Sequence, residues 1–154
     1  MNEQSTDLKI FFDQPKTFDL QNIKSLMGLT GLYFIYSANT KIQYPFNKSR
    51  LLYIGMSEKR TNSMGSRLTG HFDGKSKNLG LVNYRKVDQL FFTYINFGML
   101  RKFWNYRIED LESYFILDFV KKYGVYPICN NKSGLDIMTR KLKANFEIDW
   151  KNFE

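Results

Sequence analysis

Short apolar runs rich in aromatic and β-branched residues recur along the chain. Three of them, residues 31–36, 51–56 and 89–97, predict β-strands. The first two flank the polar, turn-rich residues 37–50, so we expect a hairpin with a long loop. Residues 8–12 form a fourth, shorter β-prone run.

Two segments show helical spacing in the first half of the chain. Residues 17–26 predict a helix that Thr17 or Asp19 would cap. A second helix is expected to start at Asn62 or Ser63, because apolar residues then recur every four positions. These recurring residues are Met64, Leu68 and Phe72.

The clearest helical pattern covers residues 101–123. Lys121 and Lys122 would lie in its last turn, where cations interact favourably with the helix dipole, and Gly124 is placed to end it. Residues 135–145 predict a further helix, followed by an aromatic tail. The order β, β, α, β, α predicts an α/β fold of the α+β type, in which helices pack a small sheet.

Composition and charge narrow the class of protein. With 154 residues, 43% of them hydrophobic, the chain has the size of one domain and is too apolar for intrinsic disorder. Lys and Arg outnumber Asp and Glu by 23 to 15. Residues 41–107 alone hold 13 basic and 3 acidic side chains, a net charge of +10. This basic face favours a polyanionic partner, either nucleic acid or an anionic membrane; a solvated basic surface is the alternative.

Cysteine usage limits the compartment and the metal chemistry. Cys129 is the single cysteine, so no intrachain disulfide can form and a cytoplasmic location is expected. With one cysteine and one histidine, any metal must be held by oxygen ligands. The polar, acidic N-terminus and the lack of a long apolar run predict a soluble, unprocessed chain.

Arg67, His71 and Glu112 are candidate chemical groups. In a helix, Arg67 and His71 share one face, where they would grip a phosphate unless both are ordinary surface residues. Glu112 falls on or beside the apolar face of the long helix. Because ionised groups are rarely buried alone, Glu112 is either a cation ligand or half of a structural ion pair.

Two tyrosines lie close to glycines in adjacent predicted strands: Tyr33 near Gly31, and Tyr53 near Gly55. A glycine within a strand often marks a close approach by backbone or ligand. Both tyrosines would otherwise be ordinary core residues.

In this chain order, these elements resemble the GIY-YIG nuclease family. The matching motifs are Gly31-Leu32-Tyr33, Tyr53-Ile54-Gly55, Ser66-Arg67-Leu68-x-x-His71, Leu111-Glu112-x-x-Phe115-Ile116 and Pro127-x-x-Asn130. The resemblance covers about residues 30–131, with an N-terminal extension at 1–29 and a C-terminal one at 132–154. It implies a single domain with a three-stranded antiparallel sheet flanked by helices and an active site on one sheet face.

The resemblance implies a metal-dependent DNA endonuclease that hydrolyses phosphodiester bonds. Glu112 would hold Mg²⁺, with Mn²⁺ as a substitute, and Arg67 would contact the scissile phosphate. Tyr53 is the preferred general base and Tyr33 would orient the water, although the reverse is open. The base needs a pKa lowered by neighbouring cations, and His71 is an alternative proton acceptor.

The remaining residues have supporting roles under the same resemblance. Gly31 and Gly55 shape the site, and Asn130 would fix the helix and loop around it. The spans between the motifs are stretched, which indicates loop insertions whose cations could touch the nucleic-acid backbone. The basic candidates in or near these loops are Lys48, Arg50, Lys59, Arg60, Lys75 and Lys77.

The resemblance is compatible with more than one biological setting. A compact, stand-alone, restriction-like enzyme acting on double-stranded DNA is the favoured interpretation, and a monomer and a dimer are both compatible with the sequence. Two alternatives belong to other classes: a non-catalytic nucleic-acid-binding module on the same fold, and a protein-interaction domain for an acidic partner. Steep salt dependence of duplex binding would argue against the last.

Overall fold

The computed structural model describes residues 8–130 and 145–154. Its strands are β1 Leu8–Ile10, β2 Lys16–Thr17, β3 Gly31–Ser37, β4 Ile42–Gln43, β5 Lys48–Ser49, β6 Leu51–Ser57, β7 Leu90–Asn96 and β8 Phe146–Ile148. Its helices are α1 Leu20–Lys24, α2 Met64–Asp73, α3 Leu79–Val87, α4 Phe97–Leu100 and α5 Ile108–Tyr123, followed by a 3₁₀-helix at Trp150–Phe153.

The main sheet is antiparallel throughout, in the order β2-β7-β3-β6. Its three long strands confirm the strands predicted at 31–36, 51–56 and 89–97, and β3 and β6 form the predicted hairpin. The expected count of three strands is wrong. The edge strand β2 adds a fourth, and its two residues are too few to produce an alternating pattern in the sequence.

Side chains of β3 alternate between two cores, as a strand buried on both faces requires. One face, which includes Leu32 and Phe34, packs against α5, β1, β8 and the 3₁₀-helix. The opposite face, which includes Tyr33 and Ile35, packs against α1, α2 and α3. The molecule is therefore a mixed α+β structure with its sheet between two layers, as predicted.

The first two helices begin at side-chain caps. The Asp19 carboxylate accepts a hydrogen bond of 2.8 Å from the Asn22 N–H, and Ser63 Oγ accepts one of 3.3 Å from the Ser66 N–H. Both caps were among those predicted. The first helix is shorter than predicted, because Thr17 belongs to strand β2 rather than to the helix.

Helix α5 starts at Ile108, so the prediction of a helix from residue 101 is wrong at its N-terminus. The indole of buried Trp104 donates to the Arg107 carbonyl at 2.8 Å, and the Asp110 carboxylate accepts from the Arg107 N–H at 3.3 Å. These contacts fix a non-helical turn immediately before α5. The helix ends at Gly124, as predicted.

Helix α3 was not predicted, and its side chains explain why. Leu79 and Val87, at its two ends, are 72% and 75% exposed, and only Leu81 is buried. Such a helix has no apolar stripe to signal its period. The helix predicted at 135–145 lies outside the described residues except for its last position.

The aromatic tail packs beside α5 on the same face of the sheet, where Trp150 and Phe153 are buried against Phe34 of β3. Strand β8 pairs in parallel with β1. Within the two described stretches, no helix combines the length and the apolarity that crossing a bilayer requires.

Candidate active site

Tyr33 and Tyr53 lie side by side on the sheet face that packs against α2. Their ring centroids are 6.0 Å apart and their planes differ by 29°. Tyr33 is fully buried, whereas Tyr53 is half-buried. Of the two hydroxyl-bearing rings, Tyr53 is therefore the one with access to solvent.

The glycines of both motifs are required by close approaches. Gly55 lies opposite Tyr33 in the β3–β6 register, and a Cβ added at Gly55 would be 2.3 Å from Tyr33 Cζ. Gly31 has φ of +154°, and a Cβ there would be 2.0 Å from the Ile95 carbonyl oxygen. Any other residue at Gly55 would displace the Tyr33 ring from its place.

His71, from helix α2, joins the two tyrosines. Its Nε2 lies 3.1 Å from the Tyr33 hydroxyl, and its Nδ1 lies 2.8 Å from Ser76 Oγ. Its ring meets the Tyr53 ring edge-on at a centroid distance of 4.8 Å. The side chains of Tyr33, Tyr53 and His71 thus form one packed cluster.

Arg67 lies one turn before His71 on the same helix. Its Nη1 donates a hydrogen bond of 2.5 Å to the Met56 carbonyl near the end of β6. It lines an open pocket of about 200 Å³, which we call the Arg67 pocket. The other residues lining the Arg67 pocket are Met56, Ser57, Glu58, Lys59 and Asn62.

The outer edge of β6 is covered by residues that follow α5. The Asn130 side chain accepts from the Ile54 N–H at 3.0 Å and donates to the Ile54 carbonyl at 2.9 Å. The Cys129 N–H donates to the Leu52 carbonyl at 2.9 Å. Further along this edge of β6, the Arg67 guanidinium donates to the Met56 carbonyl. Asn130 therefore ties the chain after α5 to the strand that carries Tyr53.

Glu112 lies on α5 and is 5% exposed. Its negative charge contributes, after the larger effect of burial, to a raised pKa at both Tyr33 and Tyr53. Arg67 acts in the opposite direction on the same two hydroxyls. A carboxylate and a guanidinium therefore both lie within electrostatic reach of the tyrosine pair.

The pKa directions differ from those expected. Burial, reinforced by Tyr53, raises the pKa of Tyr33 well above its usual value, and burial with Glu112 raises that of Tyr53. Burial and, secondarily, Arg67 lower the pKa of His71 to about 4. In the protein alone, desolvation outweighs Arg67 at both tyrosines and moves the pKa of His71 away from neutrality, so a lowered tyrosine pKa that depends on a bound metal stays a prediction.

Four of the six predicted basic residues lie around this cluster. Lys59 and Arg60 are exposed in the turn after β6, and Lys59 lines the Arg67 pocket. Lys75 and Lys77 are exposed on either side of Ser76, the partner of His71. The cluster therefore has cations at two of its margins.

The structure does not bring Lys48 and Arg50 to the cluster. Both lie at the other end of the hairpin, where Lys48 is exposed on β5. The Arg50 guanidinium donates hydrogen bonds of 3.1 Å to the carbonyls of Ser37 and Asn152. Its donors are thus used to hold the C-terminal segment against the hairpin.

Two residues near the site were missed by sequence reasoning. Ser76 forms a hydrogen bond with Nδ1 of His71. Arg107 forms an ion pair of 3.0 Å with Glu58, next to the Arg67 pocket. Arg107 and Glu58 are far apart in sequence, and Ser76 follows the end of the helix. No periodic pattern signals either contact.

A metal at this cluster would have few protein ligands. Across residues 8–130 and 145–154, no three His, Cys, Asp or Glu side chains come together. Glu112 is the carboxylate that acts electrostatically on both tyrosines, and water and phosphate oxygens would complete the shell of a metal bound there. Mg²⁺ suits such a donor set because it prefers oxygen and retains several waters.

No protein-family model matches the chain, and no curated protein and no solved structure matches it.

Proposed function

We propose that this chain is a metal-dependent DNA endonuclease of the GIY-YIG type, which hydrolyses phosphodiester bonds. One observation carries the proposal: side chains from β3, β6 and α2 meet in one cluster, within electrostatic reach of Glu112 on α5. These are the motif residues that the sequence resemblance singles out. The long strands β7, β3 and β6, with helices on both faces, support it further.

Arg67 is proposed to bind the scissile phosphate. A guanidinium carries five donors in a rigid plane, and the bond to the Met56 carbonyl uses one of its nitrogens. The remaining donors can face the open Arg67 pocket, beside Lys59. This arrangement offsets negative charge as it develops on the phosphate oxygens.

His71 is proposed to position the Tyr33 hydroxyl. Its low pKa keeps the imidazole neutral at pH 7, so one ring nitrogen accepts a hydrogen bond and the other donates one. Its two partners, Tyr33 and Ser76, occupy both nitrogens. Tyr53, which is half-buried beside this chain of hydrogen bonds, is the preferred contact for the attacking water.

Glu112 is proposed as the protein ligand of Mg²⁺, or of Mn²⁺ in its place. When bound, this cation would supply positive charge that lowers the pKa of nearby water and neutralises the phosphate. The raised pKa values of Tyr33 and Tyr53 make such a positive charge necessary before either hydroxyl can act as a base.

A non-catalytic nucleic-acid-binding module is the second candidate, and the same pKa directions favour it. Neither the tyrosines nor His71 titrates near neutrality in the protein alone. A binding module would retain the basic surroundings of the cluster without cleaving DNA. Both candidates therefore predict that the protein binds DNA, and they differ in whether the DNA is cleaved.

The test is cleavage of supercoiled plasmid, single-stranded DNA and RNA in Mg²⁺, with and without a chelator. We expect nicking of plasmid DNA that stops when the chelator is added. Glu112→Gln and Arg67→Ala should lose nicking yet still bind duplex, with Glu109→Gln, an exposed carboxylate on the same helix, as control. Binding without any cleavage in Mg²⁺ or Mn²⁺ would favour the binding module instead.

A further inference from the structure

A second pocket, outside the proposed catalytic cluster, opens beside the start of α5. Its volume is about 220 Å³, and we call it the Tyr106 pocket. It is lined by Thr30, Glu58, Phe97, Arg101, Tyr106, Arg107 and Ile108. Aromatic rings and guanidinium groups make up most of this lining, a combination that suits a flat, aromatic and anionic ligand.

The Tyr106 ring is held at the pocket by its neighbours. It meets the Trp104 ring edge-on at a centroid distance of 5.2 Å, and Trp104 is buried and bonded to the Arg107 carbonyl. Tyr106 nevertheless remains 39% exposed. An anchored yet accessible aromatic ring can stack on a ligand at little cost in side-chain entropy.

Arg101 supplies charge at the same pocket. Its guanidinium lies 5.9 Å from the centroid of the Phe97 ring, which also lines the pocket. The segment 97–107 contains three basic residues and no acidic one. Its aromatic and basic side chains take no part in the proposed catalytic cluster.

The Tyr106 pocket is a direct neighbour of the proposed site. Ile108, which lines it, lies one turn before Glu112 on the same face of α5, a rise of about 6 Å. Glu58 lines both this pocket and the Arg67 pocket. A DNA strand with a phosphate at Arg67 would therefore have an adjoining nucleotide within reach of Tyr106.

We propose that the Tyr106 pocket takes one unstacked nucleobase of a DNA strand, with Tyr106 stacking on the base and Arg101 contacting the adjoining phosphate. The proposal rests on the proposed function in placing a phosphate at Arg67. A nucleobase fits the lining because every base has a π-face for Tyr106, while its phosphate matches Arg101.

The test measures binding by fluorescence anisotropy, using full-length protein with Glu112→Gln to prevent cleavage. Two labelled oligonucleotides of equal length are compared, a normal single strand and a strand of abasic sites. Tyr106→Ala and Tyr106→Phe are added to the Glu112→Gln background. Phe103→Ala is the matched control, because Phe103 is an exposed aromatic residue of the same segment that does not line the pocket.

We expect Tyr106→Ala to weaken binding of the normal strand by roughly tenfold or more, the effect typical of losing one stacked base. The Glu112→Gln protein should bind the abasic strand equally with and without the Tyr106→Ala substitution. Tyr106→Phe keeps the ring and should keep the affinity, and unchanged binding of the abasic strand by Tyr106→Ala shows that the alanine variant is folded. Arg101→Ala should weaken both strands, and by more than Lys102→Ala, which removes an equal charge outside the pocket.

Equal losses in Tyr106→Ala and Phe103→Ala would overturn the proposal, as would an equal loss on the abasic strand. If the parent protein bound neither strand, the proposal would also fail. Failure of the proposed function has a different signature: the protein without the Glu112 substitution would not cleave DNA, while the Tyr106 dependence on the normal strand persisted.

Discussion

The two ends of the β3–β6 hairpin use the same residue types in opposite ways. At the open end, Arg67 bonds to one carbonyl and lines an open pocket. At the loop end, the Arg50 guanidinium bonds to the carbonyls of Ser37 and Asn152 and lies 5.4 Å from the Tyr36 ring. One arginine is available to a ligand, and the other joins two parts of the fold.

The loop end is held by polar contacts to its own strand and to neighbouring segments of the fold. The Tyr44 hydroxyl donates to the Leu51 carbonyl at 2.7 Å and accepts from the Ile128 N–H at 3.0 Å. The Asp88 carboxylate accepts hydrogen bonds from the Thr40 N–H and hydroxyl at 2.7 and 2.8 Å. As Arg50 shows, a basic residue in a loop is not in itself a nucleic-acid contact, because its charge can be needed to hold the fold together.

The largest effect is expected at the open end, on catalysis. Glu112→Gln and Arg67→Ala should each lower the rate of DNA nicking at least about a thousandfold, because the first removes the proposed ligand of Mg²⁺ and the second removes positive charge that stabilises the transition state. Duplex affinity should change much less. Single-turnover nicking and a binding titration on the same preparations measure both. Unchanged cleavage in both variants would contradict the proposed site.

The next effect is on the pH dependence of stability. Burial lowers the pKa of His71 from 6.5 to about 4, so the unfolded chain binds the proton more tightly than the folded one. The stability that neutral His71 provides is therefore present above pH 6.5 and lost as the pH falls to about 4. This loss amounts to about 3 kcal/mol.

His71→Gln removes that contribution and leaves the carboxylate titrations in place. The difference in unfolding free energy between the parent protein and His71→Gln should thus shrink by about 3 kcal/mol from pH 7 to pH 4. Urea titrations at several pH values measure it. Lys48→Ala, at the loop end, should follow the parent curve, and a constant difference for His71→Gln would show that His71 is not buried as described.

Gly55→Ala should destabilise the fold by about 2–3 kcal/mol, because the new Cβ overlaps the Tyr33 ring. Nicking should fall with it, since Tyr33 must move. Gly70→Ala is the matched control: its Cβ would come no closer than 3.9 Å to a neighbour, and α2 should gain up to about 1 kcal/mol. Thermal unfolding separates the two, and equal melting temperatures would contradict the close packing of Tyr33 on Gly55.

The smallest effect is expected at the loop end. Arg50→Ala should lower the unfolding free energy by about 2 kcal/mol, because it leaves backbone carbonyls without their charged donor. Lys48→Ala, an exposed neighbour, should change it by less than about 0.5 kcal/mol. Denaturant unfolding measures both. If Arg50→Ala reduced DNA affinity more than Lys59→Ala, the contrast between the two ends would not hold.

The sequence predicted the elements whose patterns are local and strong. Strands β3, β6 and β7 are long and apolar, α2 has a capping serine before its stripe, and α5 has a glycine at its end. Helix α3 and strand β2 escaped prediction because one exposes its apolar ends and the other has two residues. The start of α5 depends on Trp104, whose buried ring packs against Phe146, a residue distant in sequence.

The sequence predicted which residues make up the candidate site, but it did not predict how each residue is buried or which groups surround it. The order of the motifs singled out Tyr33, Tyr53 and His71. The direction of each pKa shift follows from desolvation, which depends on the residues packed around each group. The separate use of Arg50 and Arg67 likewise depends on which carbonyls surround each guanidinium. These surroundings are formed by residues that are distant in sequence, so no local pattern predicts them.

The parallel pairing of β1 with β8 affects how the chain can fold during its synthesis. Leu8 pairs with Phe146, so the contact spans almost the whole described chain and closes a very long loop. Trp150 and Phe153 complete the core against α5. The helix that carries Glu112 therefore lacks part of its packing until residues 146–153 have left the ribosome, and we expect nascent chains without these residues to lack the proposed cleavage activity.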